Sequence, residues 1–497
     1  MAIVVSILEK TLDAARAAAD RVEPAADLIE FRVDAMQHVD FESLLSGRKK
    51  ATIVACPNAE AGGQFQGSPE NCILKLLDAA AAGASYVDVD WRLADRMLEL
   101  PGRCRKIISF HRAEGMPADP HSALQFLDSL AGPLDLIKFV PHADRLEDAL
   151  DLAKITLDGR GRIIAFATGR AAMVSRLLAI AAGAPLVYAA PLAGAETAPG
   201  QPTIAELRAV LPPRGGGATT SIFAVVGNPI GHSLSPAVHS IALRLLGFDA
   251  MFLAFEPANF ISFFEKISKL PFMRGLAVTS PFKEDALRQS DRADDPVRQI
   301  VAANTLVRTP DGWRALNTDD DGAADAVELG MEAKLFGKKI LILGTGGAAR
   351  AAAAGVRRRG ADVTFAGRRF AQAELLAKHF AGSAIEWNHI KNTEYDVLIN
   401  ATPVGQWPNV DISPVDADAI RPGSVVMDAV VRPLDTKLGR LAAERGAKFV
   451  PGVNWFLLQA VRQIRFFTGS EPPLAPLRAA ALDALKREPK PLPGMLK

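Results

Sequence analysis

The sequence predicts an α/β protein, with an N-terminal (β/α)8 TIM barrel followed by a two-lobed α/β module whose second lobe is a Rossmann domain. Three observations lead to this prediction. Short apolar runs alternate with helix-like stretches through the first 191 residues. A segment rich in proline and glycine, LPPRGGGATTS (211–221), then breaks the pattern. Two further runs of alternating strands and helices follow it, and the second opens with KKILILGTGG (338–347).

Eight apolar runs are the expected barrel strands. They read AIVVSIL (2–8), LIEFRVD (28–34), ATIVACP (51–57), YVDVDW (86–91), KIISFH (106–111), LIKFVP (136–141), IIAFAT (163–168) and LVYAAP (186–191). Stretches of helical character, such as 9–22 and 69–82, lie between them. Enzymes with this architecture place their chemistry where strands end, so the polar residues there are the first candidates. They are Glu30, Arg32, Asp90, His111 and Lys138.

The chain is expected to divide into four parts. Residues 1–211 form the barrel, and 212–220 form a flexible linker. Residues 221–330 form a substrate lobe, to which 470–490 return, and residues 331–469 form a dinucleotide-binding lobe. A cleft between two such lobes can hold a cofactor on one side and a substrate on the other.

Composition and charge exclude several functional classes. The chain has 497 residues, 49% of them hydrophobic, which is enough for two to four domains. A net charge of +1 gives no reason to expect a nucleic-acid partner, and no run of about 20 apolar residues predicts a membrane span. Three cysteines without metal-type or paired spacing indicate a reduced, cytoplasmic protein without a metal site. The N-terminal MAIVVSILEK is interpreted as a strand rather than a signal peptide, and the oligomeric state stays open.

A dinucleotide site is predicted where the apolar strand KILILG meets a glycine-rich turn and the helix-like AARAAAAGVRRR. The residues expected at the pyrophosphate are Gly344, Gly346, Gly347 and Ala348. NAD sites normally place an acidic residue at the end of the next strand, but here that strand ends in Gly367, Arg368 and Arg369. Two guanidinium groups suit the 2′-phosphate of NADP. A solvated basic turn is the alternative.

The first lobe carries polar groups at several strand ends. Ser233 and Ser235 lie before a helix that Pro236 is suited to begin, where hydroxyls and free N–H groups could hold a carboxylate or merely cap the helix. Thr279, Lys283, Asn304 and Asp319 follow in the motifs VTSPFK, AANTL and NTD. A lysine held by a carboxylate can protonate the alkoxide that forms when a carbonyl is reduced. Taken singly, each residue could be an ordinary surface group.

Motifs in the second half resemble those of shikimate dehydrogenases. GNPIGHSLSP, VTSPFK, AANTL, NTD, GTGGAAR, the GRR turn, NATPVG, RPLDTKL and FLLQA occur in order across 221–469. The resemblance implies that Lys283 and Asp319 form the catalytic pair and that NADP is the cofactor. It implies further site residues, namely Ser233, Ser235 and Thr279 at the substrate carboxylate, Asn304 and Gln459 at ring hydroxyls, and Asn400, Thr402 and Gly405 near the nicotinamide and ribose. Ala277, Val431 and Trp455 depart from the family pattern.

The barrel residues suggest imine chemistry. Lys138 lies among apolar neighbours, which makes its charged form costly and favours a neutral amine that can attack a ketone. His111 ends the neighbouring strand and could move a proton, and Asp90 could orient it. Glu30 and Arg32, two residues apart on one strand, face the same way and can bind hydroxyls. Singly, Lys138 and His111 could be a snorkelling lysine and a core histidine, but on adjacent strand ends they favour catalysis.

The first half resembles type I dehydroquinate dehydratases. EFRVD, VDVDW, SFH, the strand with Lys138, SRLL and APGQ occur in that family's order across about 1–205. The resemblance implies that Lys138 forms the imine and that His111 is the acid and base. It implies substrate contacts by Glu30, Arg32, Arg176, Thr197 and Gln201, with Arg176 on the carboxylate. Asp90 stands where glutamate is usual, and Thr168 stands in place of a methionine.

The two resemblances together imply a bifunctional shikimate-pathway enzyme, similar to plant fusions of the two activities. The expected ligands are 3-dehydroquinate, 3-dehydroshikimate, shikimate and NADP. Three alternatives stay open. The second half could oxidise quinate or shikimate with NAD, one half could only bind ligand, or the barrel lysine could serve aldolase-like chemistry.

Overall fold

The computed structural model describes residues 1–97 and 99–487. Its strands form three sheets, one of eight strands and two of six. None of the helices in this described part is both long enough and apolar enough to cross a membrane.

The first sheet is a barrel of parallel strands, as the sequence predicts. Its strands are β1 (Ala2–Leu8), β2 (Leu28–Arg32), β3 (Ala51–Ala55), β4 (Tyr86–Asp90), β5 (Arg105–Arg112), β6 (Leu136–Pro141), β7 (Ile163–Ala165) and β8 (Leu186–Ala189). They pair in the order β7-β6-β5-β4-β3-β2-β1-β8. In the described chain no backbone ladder joins β7 to β8. Instead Arg176 bridges the seam, donating from Nη1 to the Ala167 carbonyl (2.9 Å) and from Nε to the Tyr188 carbonyl (3.0 Å).

Helices surround the barrel. They are α1 (Leu12–Val22), α2 (Phe41–Leu45), α3 (Pro69–Ala81), α4 (Pro120–Leu130), α5 (Leu146–Asp158), α6 (Ala172–Ala181) and α7 (Ile204–Val210). Side chains of Thr11, Asp40, Ser68, Asp119 and Thr203 cap five of them. After β4 a 3-10 helix (Trp91–Arg96) takes the place of the expected α-helix. The connection is short and contains Pro101 and Gly102, which do not continue a helix.

The segment 212–220, expected to be a flexible linker, is packed against both halves. A Cβ placed on Gly216 would lie 3.2 Å from Ile180 of α6, which shows how closely the backbone approaches the barrel. Thr220 is buried, and its hydroxyl donates to Asp249 of the second half (2.8 Å). A salt bridge of 2.6 Å between Asp151 and Lys266 also joins the halves. The segment is therefore an ordered junction rather than a free tether.

The substrate lobe contains a mixed sheet. Its strands are β9 (Ser221–Val226), β10 (Ala250–Phe255), β11 (Met273–Val278), β12 (Arg292–Ala293), β13 (Thr305–Thr309) and β14 (Gly312–Leu316), in the order β10-β9-β11-β13-β14-β12. Its helices are α8 (Ser235–Leu245), α9 (Phe260–Ile267), α10 (Lys283–Arg288), α11 (Asp295–Ile300) and α12 (Asp319–Met331). The helices α8, α10 and α12 begin with residues singled out in the sequence, so that Ser235, Lys283 and Asp319 lie at helix starts.

The second lobe is a Rossmann domain, as predicted. Its strands are β15 (Lys339–Leu343), β16 (Asp362–Ala366), β17 (Ser383–Ile385), β18 (Val397–Asn400), β19 (Val425–Asp428) and β20 (Lys448–Val450). All are parallel, in the order β17-β16-β15-β18-β19-β20, which is the arrangement typical of dinucleotide-binding folds. Its helices are α13 (Gly347–Arg358), α14 (Phe370–His379) and α15 (Lys437–Glu444).

The chain returns to the substrate lobe earlier than the expected position 470. The helices α16 (Gly452–Thr468) and α17 (Leu474–Lys486) both pack on α8, in a cluster that includes Val238, Val461 and Leu477. The return therefore begins at α16, inside the expected 331–469 lobe. The last expected residues of the returning segment, 488–490, lie outside the described residues.

Two candidate active sites

The barrel holds a cavity of 290 Å³ at the carboxyl ends of its strands. Its lining includes all but one of the barrel residues proposed from the sequence, Asp90 being the exception. They are Glu30, Arg32, His111, Lys138, Arg176, Thr197 and Gln201. Apolar side chains such as Val4, Ile53 and Ile107 fill the barrel below, so the cavity ends at a packed floor.

Lys138 is buried, but its surroundings differ from those expected. Its ammonium contacts the carboxylate of Asp88, and Nζ lies 3.9 Å from Oε1 of Glu30. The ring of Tyr188 lies 4.8 Å away on another side. Burial alone would raise the pKa of Asp88, but neighbouring positive charge, first of all that of Lys138, and hydrogen bonds from Lys138 and Ser109 together outweigh it, and the net shift is downward. The lysine is therefore paired with a buried carboxylate rather than isolated among apolar groups.

Glu30 provides a second carboxyl group with a different environment. Its Oε2 accepts a hydrogen bond from Ser6 (2.5 Å), whereas its buried Oε1 has no hydrogen-bond partner among the described residues. Burial raises the pKa of Glu30, which favours the neutral acid. Arg32 beside it is held by Asp34 through two hydrogen bonds of 2.8 and 2.9 Å. Glu30 thus has an oxygen free to meet a hydroxyl group in the cavity.

His111 is poised as a neutral base. Burial, followed by the nearby charge of Lys138, lowers the pKa of His111 to about 3. Its Nδ1 is buried and unpartnered within the part of the chain that the structure describes. At neutral pH the imidazole is uncharged and can accept a proton.

Asp90 forms no hydrogen bond with His111 among the described residues, contrary to the expectation from the sequence that it orients this histidine. Its carboxylate accepts from the backbone N–H of Arg92 (2.9 Å) and from that residue's guanidinium, and so caps the 3-10 helix that follows β4. Asp88, two residues earlier on the same face of β4, occupies the interior position instead. The sequence shows that Asp88 and Asp90 lie on the same face of the strand. It does not show which of the two carboxylates bonds to the turn after the strand and which faces the barrel interior.

Arg176 is a buried cation without a carboxylate partner among the described residues. Three backbone carbonyls accept from its Nε and Nη1, which leaves Nη2 available toward the cavity. Burial lowers the pKa of Arg176 to about 9. On the loop above, Thr197 donates to Oε1 of Gln201 from both its N–H (2.8 Å) and its hydroxyl (3.0 Å). A buried, uncompensated guanidinium is suited to an anionic ligand.

A second cavity, of 270 Å³, lies between the two lobes of the second half. Nζ of Lys283 donates to Oδ2 of Asp319 over 2.6 Å, as the sequence predicts for this pair. Ser233, Ser235 and Thr279 line the cavity at the start of α8, where the helix N–H groups favour an anion.

Asn304 and Gln459 meet in the same cavity, both directly and through Thr318 of the NTD motif, for which the sequence predicted no role. The amide nitrogen of Asn304 donates to the hydroxyl of Thr318 (2.9 Å), and that hydroxyl donates to Oε1 of Gln459 (3.1 Å). Thr318 directly precedes Asp319 in the sequence. The same short segment therefore contains the carboxylate that pairs with Lys283 and the hydroxyl that contacts Asn304 and Gln459.

The turn between β15 and α13 fits a dinucleotide. Gly344 has φ 114°, a conformation that favours glycine, and a Cβ on it would lie 3.0 Å from the Ala401 carbonyl. No atom lies within 4 Å of a Cβ placed on Gly346, so the backbone is open to a ligand there. Arg368 and Arg369 after β16 are exposed and form no ion pair among the residues that the structure describes. Ala348 lines the interlobe cavity directly after Gly347, the first residue of α13.

Asn400, Thr402 and Gly405 lie at the end of β18, which pairs with β15 beside the glycine turn. The side chain of Asn400, however, is engaged within the protein. Its Nδ2 donates to Asp428 (2.9 Å) and its Oδ1 accepts from the hydroxyl of Thr402 (2.6 Å). Burial raises the pKa of Asp428 to about 6. Asn400 thus shapes the loop that faces the cofactor turn.

Comparison with known proteins covers both halves. Residues 3–217 match the sequence model of type I 3-dehydroquinase, and residues 225–306 match that of the shikimate dehydrogenase substrate binding domain. The chloroplastic bifunctional 3-dehydroquinate dehydratase/shikimate dehydrogenase of Arabidopsis thaliana is 30% identical over 482 residues, which cover 91% of this chain and 79% of that protein. The chain belongs to the bifunctional 3-dehydroquinate dehydratase/shikimate dehydrogenase family.

The second half of this family member also matches single-function proteins. The shikimate dehydrogenase (NADP(+)) of Syntrophobacter fumaroxidans is 37% identical over 270 residues, covering 54% of this chain and 93% of that protein. A crystal structure of shikimate 5-dehydrogenase from Thermus thermophilus, in complex with NADP(H) and shikimate, matches with a TM-score of 0.50 and 32% identity. It covers 53% of this chain and 100% of that chain.

Trp455 shows how this bifunctional family member accommodates one of its departures. The sequence analysis singled it out only as a replacement near the cofactor. In the structure its indole Nε1 donates to the backbone carbonyl of Asp319 (2.9 Å), and the ring lines the interlobe cavity. The Trp455 side chain therefore helps to hold Asp319, the first residue of α12, in place.

Proposed function

We propose that this chain catalyses two consecutive reactions. The barrel dehydrates 3-dehydroquinate to 3-dehydroshikimate, and the second half reduces 3-dehydroshikimate to shikimate with NADPH. One observation carries the proposal: in a chain of this family, two separate cavities each contain a lysine paired with an aspartate, Lys138 with Asp88 and Lys283 with Asp319. The first lies beside a neutral buried histidine, and the second beside a dinucleotide turn.

In the barrel, the amine of Lys138 attacks the ketone of the substrate once its proton has left. Loss of water then gives a protonated imine, which withdraws electrons from the neighbouring carbon. Neutral His111 removes a proton from that carbon and returns it to the hydroxyl on the next carbon, which leaves as water. Hydrolysis of the imine frees Lys138 and releases the conjugated enone. The sequence of steps consumes one water and releases two, so the net change is loss of one water.

The remaining barrel residues bind the substrate. Nη2 of Arg176 is proposed to hold the carboxylate, since this guanidinium has no carboxylate partner in the described protein. Glu30 and Arg32 are proposed to bind ring hydroxyls, and the loop with Thr197 and Gln201 to cover the ligand. The substrate would supply partners for the buried guanidinium of Arg176 and for the unpartnered Oε1 of Glu30, and these new contacts would contribute to affinity.

In the second half, NADPH supplies a hydride when it is bound. Lys283 donates a proton to the oxygen of the carbonyl as it becomes an alkoxide, and Asp319 orients the ammonium. Ser233, Ser235 and Thr279 hold the carboxylate at the start of α8. Asn304 and Gln459 hold ring hydroxyls. The residues proposed to hold the cofactor are Gly344, Gly346, Gly347, Ala348, Arg368, Arg369, Asn400, Thr402 and Gly405.

Paired lysine substitutions test the two-site proposal. We expect Lys138→Ala to abolish dehydration and to leave reduction of supplied 3-dehydroshikimate intact, and Lys283→Ala to do the reverse. Lys106→Met serves as a control, because this buried lysine lies at the start of β5, away from the cavity, and should keep both activities. Loss of both activities in a folded Lys138→Ala or Lys283→Ala protein would refute the proposal. Dehydration is followed by the ultraviolet absorbance of the enone, and reduction by oxidation of NADPH.

The partners in this proposal are small molecules only. We keep the sequence-based expectation of a cytoplasmic enzyme as part of it, although the name of the Arabidopsis relative places that protein in the chloroplast. Fractionation of cells that produce the protein, with each activity assayed in each fraction, tests the location.

A further inference from the structure

We propose that His239 and Gln463 are a positioning pair that fixes the orientation of the Asn304 amide in the interlobe cavity. The inference rests on the proposed dehydrogenase function and names how its substrate hydroxyl is recognised. Neither residue was among those singled out for the reaction, and both are almost completely buried.

His239 lies one helical turn after Ser235 on α8, the helix whose start faces the cavity. Its ring stacks on Phe252 with centroids 4.3 Å apart. Nδ1 lies 2.9 Å from the Ser235 carbonyl, and Nε2 lies 3.0 Å from Oε1 of Gln463. Burial lowers the pKa of His239 to about 4, so at neutral pH the ring has a single N–H.

The hydrogen bonds of Gln463 indicate which ring nitrogen of His239 carries the proton. Its amide nitrogen donates to the Asn304 carbonyl (3.0 Å) and to the Thr305 hydroxyl (2.8 Å). Both amide hydrogens are then used, and the amide oxygen faces His239. With the proton on Nε2, His239 donates to Gln463, and Nδ1 then faces the Ser235 carbonyl without a proton between them.

The hydrogen bonds continue in one direction to Asn304. Because the Thr305 oxygen accepts from Gln463, its own hydrogen is left to donate to Oδ1 of Asn304, over 2.8 Å. Oδ1 accepts a second hydrogen bond from the backbone N–H of Thr318 (2.9 Å). The oxygen of the amide is thereby saturated, and its nitrogen points toward the Thr318 hydroxyl and Gln459.

The consequence is a site with fixed polarity. The nitrogen of Asn304, not its oxygen, faces the Thr318 hydroxyl and Gln459 in the cavity, so a ring hydroxyl that displaces either contact meets an N–H group. Without the chain from His239 through Gln463, the Thr305 hydroxyl could rotate and the Asn304 amide could turn over. A ring hydroxyl would then meet a mixed population of donors and acceptors, and binding would weaken. Lys283 and Asp319 are not part of this series of hydrogen bonds, so proton transfer to the substrate should change little.

The test measures shikimate oxidation with NADP+. For His239→Phe, which keeps the stack, and for Gln463→Leu, we expect the KM for shikimate to rise roughly 10- to 30-fold. The kcat should fall less than about threefold, and the KM for NADP+ should stay unchanged. His239→Gln, whose amide can donate near the position of Nε2, should recover most of the affinity. Thr468→Val is the matched control on α16, because its hydroxyl bonds only to nearby backbone in the described chain.

A double-mutant cycle separates positioning from general destabilisation. In an Asn304→Ala background, Gln463→Leu should raise the KM for shikimate by less than about twofold, because the group that it orients is gone. The same large factor in both backgrounds would overturn the inference, as would a normal KM in both single variants. Absence of shikimate oxidation by the unaltered protein would instead overturn the proposed function. Gln463→Leu decides the matter if thermal unfolding shows that His239→Phe is unstable.

Discussion

The ammonium of Lys138 contacts the carboxylate of Asp88, and Glu30 lies on its other side with Oε1 3.9 Å from Nζ. The two carboxyl groups respond differently to burial. Burial raises the pKa of Glu30, whereas for Asp88 the effect of burial is outweighed by neighbouring positive charge, first of all that of Lys138, together with hydrogen bonds from Lys138 and Ser109, and the pKa lies below its usual value. Asp88 is therefore the counter-charge of the lysine, and Glu30 is the more easily protonated group. Before Lys138 can attack a ketone it must lose a proton, and Asp88 is the nearest base.

Asp88→Asn should lower the dehydratase kcat by about 100-fold, because a buried ammonium loses its charged partner and the amine loses its nearest proton acceptor. Trapping the imine with borohydride and mapping the modified peptide would report the loss directly. The reductase activity of the same protein should be unchanged, since the second cavity is separate.

Asp90→Asn is the matched control for this prediction. The carboxylate of Asp90 is bonded to Arg92 at the end of β4, so its loss should reduce dehydration only a few-fold. If Asp90→Asn lost more activity than Asp88→Asn, Asp90 would be the more important carboxylate, in agreement with the expectation from the sequence that it orients His111.

The case of Asp88 and Asp90 shows what the sequence could and could not predict. Alternation of apolar residues was enough to place β4 in a barrel, because a buried strand and its period are local properties. Both carboxylates lie on one face of that strand. Which of them reaches Lys138 depends on the turn after Asp90 and on β6, which β5 separates from β4, and the contact with β6 is not local in sequence.

His239 and Gln463 were missed for a similar reason. Their roles come from hydrogen bonds between α8, the start of β13 and α16, which are distant in the sequence. By contrast, Lys283 and Asp319 could be paired from the sequence, because each ends a recognisable motif of the family. Motifs identified the residues proposed to react, whereas the residues proposed to orient the site could be found only from the packed structure.

Burial of His111 makes the stability of the barrel dependent on pH. The pKa is about 3 in the folded protein and near 6.5 when unfolded, so between these values the unfolded chain binds more protons. The contribution is fully present above pH 6.5 and is lost as the pH falls toward 3, at up to about 1.4 kcal/mol per pH unit. His111→Phe should flatten this part of the profile, measured as the unfolding midpoint of the barrel in urea at pH 7 and pH 5.

His121 provides the control, because it is exposed at the start of α4. His121→Gln should leave the pH profile of the unfolding midpoint unchanged. Equal flattening by both substitutions would show that His111 is not buried in its neutral form.

Arg368→Ala should raise the KM for NADPH about 10-fold or more and leave that for NADH little changed. The exposed guanidinium has no acidic partner among the described residues, so the 2′-phosphate is the charge it can meet. Arg440→Ala is the control, since this arginine of the same lobe is paired with Asp435 and should affect neither cofactor. Equal effects of Arg368→Ala on both cofactors would count against a phosphate contact and would favour the alternative of oxidation with NAD.

Two glycines of the cofactor lobe should respond differently to alanine. At Gly346 a Cβ meets no atom within 4 Å, so Gly346→Ala should keep the melting temperature but weaken NADPH binding by filling the space expected for the pyrophosphate. At Gly355 a Cβ would lie 2.0 Å from the Asp320 carbonyl, so Gly355→Ala must separate α13 from α12. We expect a loss of about 1–3 kcal/mol in the free energy of unfolding. Because α12 begins at Asp319, a displacement of this helix should also lower the kcat of the dehydrogenase half. Calorimetry and NADPH titration of both variants measure these effects, and a Gly346→Ala protein that binds NADPH normally would place the cofactor elsewhere.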